Sequence, residues 1–432
     1  MNIRVKTISL ACCAILAGAC TPLEDEKASS KIVVNNDQSV LATYITEKNE
    51  TVEVTEVSNT SNKPGLFSAP KLPTETTLTL LAEIAPPEYD DKTLQATEVH
   101  LNGSKAYVSY NYSGDTFLGA VDIIKINDED NPELTSRVVF TDTDINAIER
   151  KGSKLYLAGA TEDESFDSPA ILKVIELDGA FTFDEDSSMS NVDLASFAGT
   201  DVDVASDLIY VASGATGGKL TILNADLSVN TSIDMEDPRG ISSWRGSGEK
   251  GVSVITGGDD AKLTFFDEDD PTTAASELAI TGASIDNAKA TVERNKSITL
   301  LGAGEGGMQV ICNDDNTVAG SIAAPTGVLD SESNVLDNEK TVTNASSAAG
   351  RFAYMANGEA GVYMAKIDGS FDGNSCDMTG LELIGQLQLG DLISVNHVTA
   401  KNDLLFVASG LGGLKIIRVD DTNTDDEVED DE

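Results

Sequence analysis

Seven polar residues recur along the chain in similar settings: Glu98, Asn146, Asp201, Arg239, Asn287, Asn344 and Asn396. From first to last they take six steps with a mean of about 50 residues. Carboxamides, carboxylates and a guanidinium brought together could hold a polar ligand or an ion through several hydrogen bonds at once. The same residues could instead satisfy buried backbone groups, the commoner use of buried polar side chains. Aromatic residues make up only 5% of the chain, yet Tyr110, Tyr112 and Phe117 fall in one loop. Exposed loop aromatics mark recognition surfaces. Acidic turns stand at Asp128-Glu129-Asp130, Asp267-Glu268-Asp269-Asp270 and Asp314-Asp315. Clustered carboxylates suit calcium, but Asp in turns also bonds its own backbone. No cofactor is expected, and Ca²⁺ is the one ion these turns would take.

Signatures of catalysis are sparse. His100 and His397 are the only histidines. Their offsets from the recurring polar residue differ by one, which would put them on opposite strand faces. That argues against a histidine-based metal site or triad. There is no G-x-S-x-G elbow, no H-E-x-x-H and no phosphate-binding loop. A single tryptophan, Trp244, argues against quinone-dependent dehydrogenase repeats. No catalytic residue is assigned. A carboxylate pair is the remaining route to hydrolysis.

These residues are positioned by a repeat. Its clearest copies are IYVASGATGGKLTIL from Ile209, LLFVASGLGGLKIIRV from Leu404 and ITLLGAGEGGMQVI from Ile298. Each joins two β-rich runs through a Gly-rich turn. Looser copies start at Ala106, Leu155, Val252 and Phe352, making seven. A short segment carrying the recurring polar residue precedes each hairpin, and an outer segment such as Leu134 to Phe140 follows. Four short strands every 50 residues make a propeller blade, whose two faces are buried only by neighbouring blades. The seventh copy lacks its fourth strand. Leu78 to Ile84 is a spare β run that would complete it and remove an exposed edge. The expected fold is all-β, a seven-bladed β-propeller closed by an N-terminal strand, with the recurring polar residues on the innermost strands at the channel mouth.

The stretch AVDIIKINDEDNPELTSRVVF from Ala120 resembles the LVIVD repeat of bacterial surface propellers, which are of the YVTN/WD-like seven-bladed kind. Asp128, Asp130 and Pro132 match its Asp/Pro turn. KLTFFDEDDPTTAASELAI from Lys262 matches more loosely. The resemblance implies fold and surface location and carries no catalytic residues.

The N-terminus reads as a lipoprotein signal peptide over residues 1–19. Arg4 and Lys6 precede an apolar run from Ile8 to Leu16, and Ala17-Gly18-Ala19 leads to Cys20, the lipidation candidate. The apolar run is too short to span a bilayer, so attachment would be through acyl chains. Residues 20–75 read as a mostly irregular lipidated tether with β-like pieces at Lys31 to Val34 and Thr51 to Val57. Residues 76–420 form the propeller and 421–432 a disordered acidic tail. Cys312 and Cys376 fall in neighbouring repeats, and an exported location permits them to pair.

The formal net charge is −44. Such acidity repels nucleic acid and anionic lipid. Partners are therefore the membrane, through the anchor, and a protein or small molecule. The combined reading is a non-enzymatic binding or scaffold propeller of the outer membrane or cell surface, recognising a protein or small polar ligand on its channel face. The alternative is a carboxylate-dependent hydrolase with its site at the channel mouth.

Overall fold

The computed structural model describes residues 31–55, 72–126, 131–184, 186–214, 216–245, 250–283, 289–330, 332–390 and 394–422. Cys20, Asn287, Asp128, Asp130 and the tail beyond residue 422 lie outside these.

Seven antiparallel sheets follow one another along the chain. They span residues 95–140, 143–193, 198–234, 238–279, 291–322, 345–387 and 397–421, numbered here as blades 1 to 7. Each runs in chain order from an inner to an outer strand. The middle strands are largely apolar and mostly buried. Leu404–Ala408 and Ile298–Gly302, for example, are buried at every residue. A strand that alternates burial faces water on one side, whereas these have a neighbouring blade on both. Outer strands such as Asp270–Ala279 are mostly exposed. Seven apolar clusters result, one per junction. In one, Tyr210, Leu220 and Ile222 of blade 3 meet Ile241, Val252 and Phe266 of blade 4. In another, Leu81 and Ile416 of blade 7 meet Val99 and Ile124 of blade 1.

The ring closes as expected. Thr76–Ile84 pairs antiparallel with Leu414–Asp421, with Leu78 opposite Val419 and Ile84 opposite Leu414. The fourth strand of blade 7 thus comes from the beginning of the domain and the other three from its end. In the hairpin turns, Gly307 and Gly413 take φ of 72° and 67°, where a β-carbon would be strained.

The segment before the closing strand has strands at both of its expected β-like pieces and is more regular than a tether elsewhere. Ile32–Asn35 adds a fifth strand to blade 1, with Val33 opposite Val139. Ile45–Thr51 does the same for blade 7, with Ile45 opposite Ile84. Val54–Thr55 pairs with the edge of blade 6, with Val54 opposite Leu387. An outer blade edge presents unpaired backbone groups that any extended segment can satisfy. Such a strand buries few side chains, so its composition stays polar. Leu41 is its main apolar anchor, fully buried against blades 7 and 1.

Cys312 and Cys376 form a disulfide with Cα atoms 5.3 Å apart, joining blade 5 to the loop before the outer strand of blade 6. Among the described residues no helix is long and apolar enough to cross a membrane.

Candidate ligand seat at the channel mouth

The inner strands line two neighbouring spaces. The mouth, about 450 Å³, is lined by Asn146, Arg239, Lys289, Asn344 and Asn396 among others. A deeper chamber of about 270 Å³ is lined by Glu98, His100, Glu149, Asp201, Asp203, Glu293 and His397. Arg239 and Lys289 face both.

A β-bulge decides which residue goes where. In blade 1, Ala96 pairs with Tyr110 and Glu98 with Ser109, leaving Thr97 as the extra residue. Asn146, Thr200 and Arg239 are the bulged residues of blades 2, 3 and 4. Bulges re-aim side chains locally. At five junctions the residue at this position donates to the next blade. Thr97 Oγ1 donates to Ile145 O at 3.0 Å, and Asn146 Nδ2 to Gly199 O at 3.0 Å. Thr200 Oγ1 donates to Pro238 O at 2.8 Å. Asn344 Nδ2 donates to Val395 O at 3.1 Å, and Asn396 Nδ2 to Ala96 O at 2.8 Å. Each acceptor immediately precedes the equivalent position of its own blade. Three of the four asparagines singled out in the sequence are therefore inter-blade clasps that also line the mouth.

Glu98 and Asp201 stand one residue further on and turn into the deeper chamber instead, so the expected ring of seven divides between two levels. In blade 5 the residue that reaches both spaces is Lys289, which sequence reasoning missed. Its Nζ donates to Thr97 O at 3.0 Å and to Glu98 Oε2 at 3.2 Å, an ion pair between blades 5 and 1.

The same bulge corrects the histidines. Counted from Thr97 and Asn396, His100 is three residues on and His397 one, so both point the same way. Both line the chamber. His100 Nδ1 lies 2.8 Å from Glu149 Oε2. Burial disfavours its charged form, but Glu149 outweighs this and its pKa is raised. Burial, with Lys289 and His100 nearby, holds His397 well below its ordinary value. Burial raises Glu98 and Asp201. It also lifts Asp203 to about 6, with Glu149 adding to the effect, and Glu293 to about 7. Within hydrogen-bonding reach, Asp203 accepts from Ser243 N at 2.6 Å and Ser243 Oγ at 2.9 Å.

Among the described residues, one set of three imidazole, thiolate and carboxylate donors converges to metal-ligand spacing: Cys312, Asp314 and Cys376. Its two sulfurs are joined in the disulfide. The acidic turns make local bonds, as when Asp315 Oδ1 accepts from Thr317 Oγ1 at 2.7 Å.

The aromatic loop also needs correction. Tyr110 is fully buried. It lies on the second strand of blade 1, Lys105–Asn111, and its hydroxyl donates to Asp122 Oδ2 at 2.9 Å. Asp122 in turn accepts two bonds from buried Arg137 at 2.7 Å. Tyr110 belongs to the core because the strand runs on to Asn111, past the point where the loop was expected to begin. Tyr112 and Phe117 do sit on the loop and are half-buried. The Phe117 ring lies 6.1 Å from that of Phe197, which is 59% exposed. Asp144 of blade 2 pins this loop, accepting from Leu118 N at 2.9 Å. Burial raises its pKa to about 6.

No family profile matches the chain, and no curated protein resembles it in sequence. Solved structures do share its fold. A chain of the mitotic checkpoint complex superposes at TM-score 0.52 and 11% identity, covering 84% of this chain and 96% of that one. A catalytically inactive virginiamycin B lyase from Staphylococcus aureus, solved with quinupristin, superposes at 0.53 and 10% identity, covering 80% and 99%. The likeness is one of fold: an all-β, seven-bladed propeller. At these identities it says nothing of ligand or reaction.

Proposed function

We propose that the chain is a binding propeller of the cell envelope whose ligand, a small polar molecule, sits at the channel mouth. One observation carries this reading. The mouth is a polar space of about 450 Å³ whose clasp residues are already used to hold the ring together, so the seat is pre-formed and binding need not order it. A rigid seat on adjoining inner strands is what a propeller offers a ligand. Export and lipid anchoring at Cys20 are supported by the basic, apolar and small-residue run that precedes it. The Cys312–Cys376 bond suits an oxidising compartment. The LVIVD-like repeat supports placement at the bacterial surface.

The test is a panel of small polar solutes titrated against the full chain, read by thermal shift and calorimetry. Saturable binding that Asn344→Ala weakens supports the seat. Saturable binding unaffected there but lost on Phe117→Ala would move recognition to the loop. A second reading, carboxylate-dependent hydrolysis, draws on Asp203 and Glu293, whose pKa values of about 6 and about 7 would suit a general acid near neutrality. Turnover abolished by Glu293→Gln would favour it.

A further inference from the structure

We infer that the ligand seated at the mouth carries a carboxylate, received by the guanidinium of Arg239 together with Lys289. This inference rests on the reading of the mouth as a ligand seat.

Arg239 occupies the clasp position of blade 4 but makes no clasp among the described residues. It folds back on its own blade, where Nε and Nη2 donate to Asp237 Oδ2 at 2.8 and 2.5 Å. Its side chain is 4% exposed. Its third nitrogen, Nη1, is buried and has no partner among the described residues, and Arg239 lines both the mouth and the chamber. An unpaired N–H on a buried charged group is among the costlier defects a protein can carry. An acceptor from outside would remove it.

The setting is built around the guanidinium. A β-carbon on Gly257 would fall 2.1 Å from Arg239 Cζ. Gly257 is not among the residues with positive φ, so the backbone does not require glycine here and space does. Gly257 N donates to Asp237 O at 2.9 Å. Asp237, Arg239 and Gly257 are therefore one unit: an anchor, a cation and the gap that admits it.

Lys289 supplies the second positive charge. An ammonium has three N–H donors, and Lys289 spends two, on Thr97 O and Glu98. The chain has 29 basic residues against 73 acidic ones, yet three of the 29, Arg239, Lys289 and Lys340, line this one space, Lys340 being paired with Glu359. Asp237 and Glu98 already offset part of the charge of Arg239 and Lys289, and Glu339 and Glu359 also line the mouth. The chain's overall negative field also repels multiply charged anions. A single carboxylate fits that balance better than a phosphate dianion. Asn344 and Asn396 each donate one amide N–H to the next blade, and their carboxamide oxygens remain as acceptors for ligand hydroxyls. The ligand class is a small hydroxylated monocarboxylate.

The experiment titrates the full chain with glucuronate, with glucose as its neutral counterpart and with inorganic phosphate, by calorimetry. Glucuronate should bind saturably and at least ten-fold more tightly than glucose or phosphate. Arg239→Gln and Gly257→Ala should each weaken glucuronate at least ten-fold, and by more than they weaken glucose. Lys289→Gln, at a less buried position, gives the same test if the Arg239 variant fails to fold. Equal binding of glucose and glucuronate, indifferent to all three variants, would overturn the carboxylate assignment and leave the seat standing. Binding of none of the three probes would overturn the seat as well. Preference for phosphate that Arg239→Gln removes would assign the site to a phosphoryl group and overturn the inference.

Discussion

Asn396 Nδ2 donates to Ala96 O at 2.8 Å, and this bond joins the last blade to the first. The same bond recurs at four other junctions, where the side chains are threonine or asparagine. Sequence repetition and ring geometry meet here. At these five junctions the position recurs because it presents a donor to a backbone carbonyl of the next blade.

Removing that donor should weaken the ring at its seam. Asn396→Ala should lower unfolding stability by about 1–2 kcal/mol, the cost of an orphaned carbonyl plus the lost bond. Asn344→Ala should cost a similar amount, since its bond to Val395 O has the same geometry. Denaturant unfolding of the two variants checks this. A cost near zero in both would mean that water replaces the clasp freely.

The seam was legible in the sequence because the spare strand and the missing one had matching lengths. The blade count was legible from the Gly-rich hairpins. What stayed hidden were single inserted residues. Thr97 and Thr200 are bulged, so Glu98 and Asp201 stand in for them in a sequence alignment while turning into a different space. A bulge leaves no composition signal, yet it reverses which face every later residue occupies. This is why His100 and His397 were set apart on paper and share a chamber in the fold. Lys289 was hidden similarly, two residues past the asparagine that drew attention. The pieces at Lys31 to Val34 and Thr51 to Val57 carry a strand signal, whereas most of Ile45–Thr51 reads as tether because an outer strand pairs through its backbone and needs few apolar side chains.

The chamber makes stability depend on pH. Asp203 and Glu293 have folded-state pKa values of about 6 and about 7, against ordinary values of 3.8 and 4.5. The folded chain therefore holds protons that the unfolded chain releases. These two groups cost nothing at low pH, and their penalty grows as pH rises from about 4 to about 7. Glu293→Gln, which keeps the neutral form, should be more stable than the parent at pH 8 by on the order of 1 kcal/mol. The gain should vanish below about pH 4.5. Unfolding free energies across that range check it, and a difference independent of pH would contradict it.

The disulfide should matter as well. It closes a stretch with a sequence separation of 64 residues across blades 5 and 6. A loop of that length is worth about 4 kcal/mol in lost unfolded-state freedom. The double variant Cys312→Ser, Cys376→Ser should lose stability by roughly that amount, and reductant should have no further effect on it. An unchanged unfolding midpoint in the reduced parent, with two titratable thiols, would count against the assignment.

The central claim is that the channel mouth receives a ligand, and the most direct measurement is a crystal structure of the full chain grown with glucuronate. The expected result is difference density within hydrogen-bonding distance of Arg239 Nη1 and Lys289 Nζ, with the ring otherwise unchanged. Density seated instead against Phe117 and Phe197, or a mouth that stays filled with water at saturating glucuronate, would contradict the account.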